Sequence, residues 1–507
     1  MYFISILISL LLITKFDETP AQAFSNNLLN HGYTETTIAE IGNISITVEE
    51  FLNSFEFAPA FIKRKPDSKL RHINFMIKEK LLALDGYSRQ IDTSEIAKEM
   101  LSAITDDIAT EELFKKEILE RINYTNEDID SLVAKKQTEF EIRWIYSPNR
   151  EEIENIYKLL YNRMSFDSIY FKQFSDTSIY LDERELKISE YSLELRNPLL
   201  SSKVAQLKPG EYSDYFYAYD GWYIIQLKNK WIDIITSETE SGKFYNEAKS
   251  AFKKRKMDQL SDEYINNLLI SANPIIKRNT FNVLRTYIAS YTLSEDKYKE
   301  WNLKEKLEQA LDSLRNPSAN IIGNIILVEY NNGAITLEEF LKWYRIRDQY
   351  LKFDQANLQS FSLSLKNYIW QMLRDKLLTA KASEQNFYNS IEVKKQSAWW
   401  KDKITYSLIK NEILNSIRLD MKELKADTKL NASNSNFIQE ELTKKMFYKL
   451  KELQKKFNVK VNKDVLNQIS VSSEYDPKAV DFYFVKKGGV IPRTPFPTID
   501  MEWSRWE

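Results

Sequence analysis

One local pattern occurs twice in the sequence and constrains the organisation of the whole chain. It spans Glu40–Leu52 near the start and Glu329–Leu341 far downstream, so the second copy follows the first by 289 residues. In each copy, an adjacent glycine and asparagine predict a tight β-hairpin. A threonine with a glutamate three residues later, Thr47 with Glu50 in the first copy, then predicts a capping box. Each copy therefore predicts a short strand pair that leads directly into a capped helix.

Further matches in the same order indicate a duplication. Lys80–Ala83 corresponds to Lys376–Thr379 at an offset of 296 residues, and Glu117–Leu119 corresponds to Glu412–Leu414 at an offset of 295. Between these matches, apolar residues recur at helical spacing in both halves, which predicts long amphipathic helices. Three ordered matches at a nearly constant offset favour a duplicated helical module over chance similarity between helices.

Each half is also predicted to end in a long helix followed by a short strand. In the first half the helical spacing includes Phe244–Phe252 and the strand pattern covers Ile275–Asn279. In the second half the strand pattern covers Val459–Asn462. The halves differ because the first contains an extra block at 141–232, where short strand patterns alternate with helical ones. This block predicts a compact α+β domain.

The residue counts exclude several classes of chemistry. The 507 residues include no cysteine, which excludes disulfides, thiolate metal sites and a cysteine nucleophile. His31 and His72 are the only histidines, and the ten glycines never have the spacing of a nucleotide-binding loop. Lys and Arg total 71 against 73 Asp and Glu, which argues against the clustered basic face that nucleic acid requires. We therefore expect no cofactor, no metal, no nucleotide and no nucleic-acid partner.

The N-terminus predicts export across a membrane. Tyr2–Ile13 is apolar and is followed by Ala21-Gln22-Ala23, a small-x-small pattern typical of a signal peptide cleavage site. The alternative is an uncleaved anchor, but this run of 12 residues is short against the ~20 that a membrane-spanning helix needs. We therefore expect a signal peptide at residues 1–23 and a periplasmic protein with no stable membrane insertion after cleavage.

Four motifs in the extra block resemble the parvulin-type peptidyl-prolyl isomerase domain, also called PpiC or rotamase. They are Ser165–Ser168, Gln173–Asp176, Gln206–Ser213 and Gly221–Leu227. The Leu-Lys-Pro-Gly-Glu core and the Gly-Trp-x-Ile-Ile run are the specific part of this likeness. The surrounding hairpin and capped helix resemble the chaperone region of the periplasmic foldase SurA and its relatives. The resemblance implies a mainly α protein with a small α+β domain, in which one copy of a duplicated helical chaperone module carries an inserted parvulin-like domain.

The expected domain boundaries combine the repeat with this resemblance. After the signal peptide we expect a SurA-like helical module, the parvulin-like domain, a long helix with a return strand and linker, a second helical module, and a tail rich in proline and aromatic residues. These segments are 35–140, 141–232, 233–317, 318–470 and 471–507. The tail contains Trp503 and Trp506 and is interpreted in two ways. It either packs on the second module or docks as an extended segment on a partner or on the protein's own groove.

The resemblance also assigns the family's functional positions to residues of this chain. The two positions for catalytic histidines are occupied by Trp144 and Tyr223, and the acidic position corresponds to Glu185. The positions that would contact the substrate are Arg196, Leu200, Ala205 and Trp222. Because both histidines are replaced, the resemblance implies an isomerase that is weak or inactive. Tyr223 is interpreted either as a residual hydrogen-bond donor or as a strand tyrosine with a structural role.

We therefore expect a periplasmic chaperone that holds unfolded polypeptides, and the resemblance implies outer-membrane proteins as clients. Clients are expected to bind in a concavity between the two helical modules, where exposed aromatic residues supply contact area. Trp399 and Trp400 occupy successive helix positions, so one of them is expected to be exposed. Two alternatives remain open: an active parvulin-type isomerase, and a structural cell-envelope protein with one fixed partner.

Overall fold

The first repeated pattern forms the predicted hairpin and capped helix in this computed structural model. Strands β1 (Thr37–Ile41) and β2 (Ile44–Thr47) pair antiparallel. Helix α1 (Val48–Glu56) follows at once, and the Thr47 hydroxyl accepts a hydrogen bond from the backbone N–H of Glu50 at 3.2 Å. This bond satisfies one of the backbone donors that a helix leaves unpaired at its N-terminus. The next helices are α2 (Ala60–Lys63), α3 (Ser68–Ser88) and α4 (Glu95–Glu117).

The structure describes residues 35–175, 184–218, 220–234, 237–312, 323–427, 434–471, 494, 496–504 and 506. The expected signal peptide at 1–23 lies outside these residues, as does His31. In the part of the chain that is described, no helix combines the length and the apolar character needed to cross a bilayer. The described residues divide into two units, 122–257 and a larger one made of 35–121 with 258–507.

The smaller unit contains the expected α+β domain. Its elements and the long helix that follows are α5 (Asn126–Gln137), β3 (Thr138–Ser147), α6 (Arg150–Tyr161), α7 (Phe166–Ser175), β4 (Glu185–Ser189), α8 (Glu190–Arg196), α9 (Pro198–Ala205), β5 (Phe216–Ala218), β6 (Gly221–Ile232) and α10 (Glu238–Ala272). Helix α10 contributes its first part to this unit and its last part to the larger one.

The rest of the larger unit is mainly helical. It contains β7 (Ile275–Ile276), α11 (Arg278–Thr292), α12 (Glu295–Glu300), α13 (Leu303–Asp312), β8 (Ile326–Tyr330), β9 (Gly333–Thr336), α14 (Leu337–Arg347), α15 (Leu358–Glu384), α16 (Ile391–Asp427), α17 (Asn434–Lys456), β10 (Val459–Val461) and α18 (Lys463–Gln468). The protein is thus mainly α with small antiparallel sheets.

The two hairpins each receive a third strand from the other half of the chain. Strand β10 pairs antiparallel with β1, so that Val461 lies opposite Ala39. Strand β7 pairs antiparallel with β8, so that Ile276 lies opposite Val328. The short strand at the end of each half therefore completes the hairpin of the other half.

The apolar cores also combine segments from the two halves of the chain. One core joins α1 and α3 of the first half to α16 and α17 of the second. Another joins α11 to β8, α14 and α15. A third lies between α4, α15 and α16, and includes Ile108, Leu378 and Trp400. This third core fills the space between α4 and the two helices from the second half, and a client concavity elsewhere between the modules stays a prediction.

The expectation that Trp399 or Trp400 is exposed is wrong. Their exposed fractions are 7% and 9%. Helix α16 packs on both α3 and α4, and its Trp400 belongs to the core with α4. Trp399 lies on a different side of the helix, where its ring centre is 6.3 Å from that of Phe496 in the C-terminal tail. Two surfaces of one helix are covered by different parts of the chain, so both indoles are buried.

The segment after α10 contains more helix than the sequence indicates. The strand predicted at Ile275–Asn279 ends at Ile276, and α11 begins at Arg278. Residues 278–312, where a linker is expected, hold three helices. Phe281, Leu284 and Ile288 in α11 are buried in the second core, and their spacing of three and four residues is that of one helix face.

His72 is a buried imidazole in the first core. It is 0% exposed, its Nε2 lies 3.0 Å from the Ser54 hydroxyl oxygen, and its ring meets Phe51 and Phe55 edge-on. Burial, followed by the positive charges of nearby lysines, lowers the pKa of His72 to about 3. The imidazole therefore stays neutral in the folded protein at every pH above that value.

We predict that His72 makes the stability of the fold depend on mildly acidic pH. Below pH ~6.5 the unfolded chain protonates this imidazole and the folded protein does not, so the free energy of unfolding falls as the pH drops. The loss approaches ~1.4 kcal/mol per pH unit, or ~2 kcal/mol between pH 6.5 and 5. Urea unfolding at pH 7.5 and 5.0 measures it. His72→Gln, which keeps a polar partner for Ser54 but does not titrate, should lose ~2 kcal/mol less than the wild type over this range; equal losses would contradict the assignment.

Candidate functional site

The sheet of the smaller unit brings together the two positions that the resemblance assigns to catalytic histidines. Its strand order is β4-β3-β6-β5, and all neighbours are antiparallel. Trp144 lies opposite Ile225, and Tyr146 lies opposite Tyr223. Because alternate residues of a strand share a face, Trp144, Tyr146 and Tyr223 all lie on the same face of the sheet. Trp144 and Tyr223 are half-buried there against one apolar cluster, which also contains Phe216.

The Tyr223 side chain is held by its neighbours. Its ring centre is 5.2 Å from that of Tyr146 and 6.2 Å from that of Phe216. Its hydroxyl donates a hydrogen bond to Oδ1 of Asp220 at 2.8 Å. Burial, together with the bond to Asp220 and the charge of that carboxylate, raises the pKa of Tyr223. At neutral pH the phenol is therefore protonated, and its proton is directed at Asp220.

Glu185 lies on the other face of the sheet. It is aligned with Arg143, the residue before Trp144, so the alternation of β3 places it opposite to Trp144. Its carboxylate forms an ion pair with Lys228, whose Nζ also lies 3.0 Å from Oε1 of Glu141. The structure therefore does not bring Glu185 to Trp144 and Tyr223.

The four positions assigned to substrate contact also lie on different parts of this unit. Leu200 packs against the same cluster as Trp144 and Tyr223. Arg196 and Ala205 are exposed at the last residues of α8 and α9. Trp222 lies on the opposite face, where its ring centre is 5.9 Å from that of Tyr215 and the Arg150 guanidinium carbon is 5.4 Å from the indole centre.

Sequence reasoning missed three residues of this face. Tyr146 could have been found, because it stands two residues after Trp144 on a predicted strand and the alternation puts both on one side. Phe216 and Asp220 could not, since their positions depend on how β5 pairs with β6.

The face offers aromatic and aliphatic contact area rather than acid–base groups. Half-buried Trp144 and Leu200 supply apolar surface, Phe216 belongs to the buried core behind them, and the Tyr223 hydroxyl already has an acceptor. No group of three histidine, aspartate or glutamate side chains in the described residues is placed to hold a metal ion. The half-buried aromatic side chains can contact an apolar ring and thereby remove part of it from water.

Comparison with known proteins gives only remote similarities. The chain matches no known protein family profile and no curated protein sequence. Among solved structures it overlaps the peptidylprolyl isomerase PrsA of Bacillus anthracis, with 14% identity, 37% of this chain and 95% of that one covered, and a TM-score of 0.21. For PrsA of Bacillus subtilis the values are 16%, 45%, 93% and 0.17. For the foldase protein PrsA of Streptococcus pneumoniae they are 11%, 43%, 90% and 0.20. TM-scores this low do not establish a shared fold or a shared activity.

We predict that removal of the Tyr223 hydroxyl has only a small effect on stability. A hydrogen bond to an exposed carboxylate contributes modestly, so Tyr223→Phe should lower the free energy of unfolding by ~1 kcal/mol. Urea unfolding measures this loss, and Tyr161→Phe is the matched control because Tyr161 is 81% exposed. A loss of several kcal/mol for Tyr223→Phe would show that this bond holds the sheet together.

Proposed function

We propose that this protein is a chaperone that holds unfolded polypeptides, and that its parvulin-like domain contributes a binding face with little or no isomerase activity. The observation that supports this most strongly is the face that carries Trp144 and Tyr223. At the two positions where the family has histidines, this chain presents an indole and a phenol whose proton is already donated to Asp220.

The chemistry of prolyl isomerisation explains why this face favours binding. Rotation about the peptide bond is opposed by about 18–20 kcal/mol, and the cis and trans forms of X-Pro differ little in energy. An isomerase must therefore stabilise the twisted amide with positioned polar groups. Trp144 and Leu200 can contact a proline or aromatic side chain, but such apolar contacts stabilise the planar and the twisted amide alike.

We also infer that the two hairpin–helix units arose by duplication and that the parvulin-like domain is an insertion in the first. One contact supports the duplication beyond the sequence matches. Lys80 lies 2.6 Å from a carboxylate oxygen of Glu50, and Lys376 lies 2.6 Å from one of Glu339. These four residues are related by the same offsets as the repeated motifs.

The location and the clients are part of the proposal. An apolar run with a small-x-small site at the N-terminus supports export, and the resemblance to SurA supports a periplasmic location with outer-membrane proteins as clients. Clients would contact the Trp144 face, because its half-buried aromatic side chains offer apolar contact area.

We predict that the full-length protein suppresses aggregation of an unfolded outer-membrane β-barrel protein at near-stoichiometric ratios. It should leave the rate of a proline-limited refolding reaction unchanged. Light scattering measures the first effect and fluorescence-detected refolding the second. Acceleration of refolding that is lost in Tyr223→Phe would contradict the proposal and favour an active isomerase. Isolation of one stoichiometric partner, without any suppression of aggregation, would favour a structural envelope protein.

We predict that Trp144→Ala weakens client binding by roughly fivefold, because truncation of a half-buried indole removes contact area at the centre of the face. Trp231→Ala is the matched control, since Trp231 is 36% exposed and lies outside this cluster. Affinity for a fluorescent client is the measurement, with thermal unfolding of both variants recorded in parallel. Equal affinities for the two variants would place the client elsewhere.

A further inference from the structure

The C-terminal tail lies in a groove formed by α3, α16 and α17. Trp503 is 0% exposed and Ile499 is 4% exposed, and both belong to the first core. The Trp503 ring centre lies 6.2 Å from that of Tyr406 and 6.4 Å from that of Phe447. We call this binding surface the tail groove and define it by the side chains that meet the tail, which are Lys78, Glu79, Trp399, Lys403, Tyr406, Lys410 and Phe447.

The Glu79 carboxylate at the centre of the tail groove takes half of its hydrogen bonds from the tail. Its Oε1 accepts from the indole N–H of Trp503 at 3.0 Å and from the backbone N–H of Asp500 at 2.7 Å. Lys403 donates to both oxygens, at 2.9 and 2.7 Å. The carboxylate therefore recognises an indole and a backbone N–H three residues before it.

The tail groove is also complementary in charge to the tail. Asp500 accepts from the Tyr406 hydroxyl at 3.0 Å and from Lys410 at 2.5 Å, and Lys410 also pairs with Glu502. Burial opposes ionisation of Asp500, but its bonds to Lys410 and to the backbone N–H of Glu502 prevail and lower the pKa of that carboxyl. The groove thus suits a segment that makes one 3₁₀ turn from an acidic residue to a tryptophan.

In the second half of the chain, the carboxylate that corresponds to Glu79 accepts from a tryptophan in a neighbouring helix of the same half. Asp375 follows Glu79 by 296 residues, and its Oδ2 accepts from the indole N–H of Trp343 at 3.0 Å. Position 343 follows Ser54 by 289 residues, the offset that relates the two hairpin units. The first unit therefore has a small side chain where the second has a tryptophan, and the indole that donates to Glu79 comes from the tail instead.

A small pocket of about 30 Å³ lies beside the tail, lined by Ser54, Glu79 and Trp399 together with Pro497–Ile499 of the tail.

We propose that the tail groove is a peptide-binding site whose resident ligand is the C-terminal tail. Its other ligands are segments of unfolded client polypeptides that carry an acidic residue about three positions before a tryptophan and can form the same 3₁₀ turn. The client part of this inference rests on the proposed function. Because the tail is tethered, its effective concentration at the groove is on the order of millimolar, so a free segment competes poorly until the tail is released or cut.

The test uses the full-length chain with a specific protease site inserted between residues 471 and 494. The protein is folded first and then cut, so that the tail stays in place without its tether. A fluorescent peptide of residues 494–507 should then exchange into the groove of the cut protein, with saturable binding in fluorescence polarisation. The uncut protein should not bind it at the same concentrations.

Peptide variants test the chemistry of recognition. Trp503→Ala in the peptide should weaken binding about tenfold or more, because the indole is fully buried and donates to Glu79. Met501→Ala is the matched control and should bind as the unchanged peptide does, since Met501 is 52% exposed. Equal binding of the two variants would overturn the proposal, and so would a cut tail that never exchanges, because it would then be a permanent part of the core.

Clients are tested by displacement. An unfolded outer-membrane β-barrel polypeptide with a tryptophan after an acidic residue should displace the fluorescent peptide from the cut protein, and the same polypeptide with that tryptophan changed to alanine should displace it far less. Absence of displacement would overturn the proposal for clients. Aggregation assays on the uncut protein test the proposed function separately, since they do not depend on exchange of the tail.

Discussion

The exchange of strands between the halves is the constraint on which the larger unit depends. Strand β10 completes the hairpin of β1 and β2, and β7 completes that of β8 and β9. These backbone hydrogen bonds cover one edge of each hairpin, and an uncovered edge would leave a row of donors and acceptors without partners. The apolar cores also join the two halves, because α3 packs with α16 and α4 packs with α15. Separation of the halves would therefore open a sheet and a core together.

Local features of the fold could be predicted from the sequence, and the partners of those features could not. Hairpin dipeptides, capping threonines and helical spacing identify elements because each depends on residues close in the chain. The choice of β1 as the partner of β10 depends on packing between segments more than 400 residues apart, about which spacing contains no information. Trp399 and Trp400 show the same limit. A helix was expected to have one buried side, and α16 has two because α4 and the tail cover it separately.

Family positions and strand alternation together predict only part of the candidate site. They place Trp144 and Tyr223 on one face, and alternation alone would have added Tyr146. The register of β4 decides that Glu185 is on the opposite face, and this register is not readable from a poorly matching stretch of sequence. The bond from Tyr223 to Asp220, which supports binding over catalysis, depends on a turn that no motif predicts.

The pairing of β1 with β10 has a consequence for how the protein is made. The sheet that contains residues 37–41 is complete only after residues 459–461 have been synthesised, so this unit cannot mature before that point. Contacts between such distant segments also make maturation slow, because a long loop must close before it gains stability. During that interval the early hairpin and helix α3 expose the apolar surface that α16 and α17 later cover.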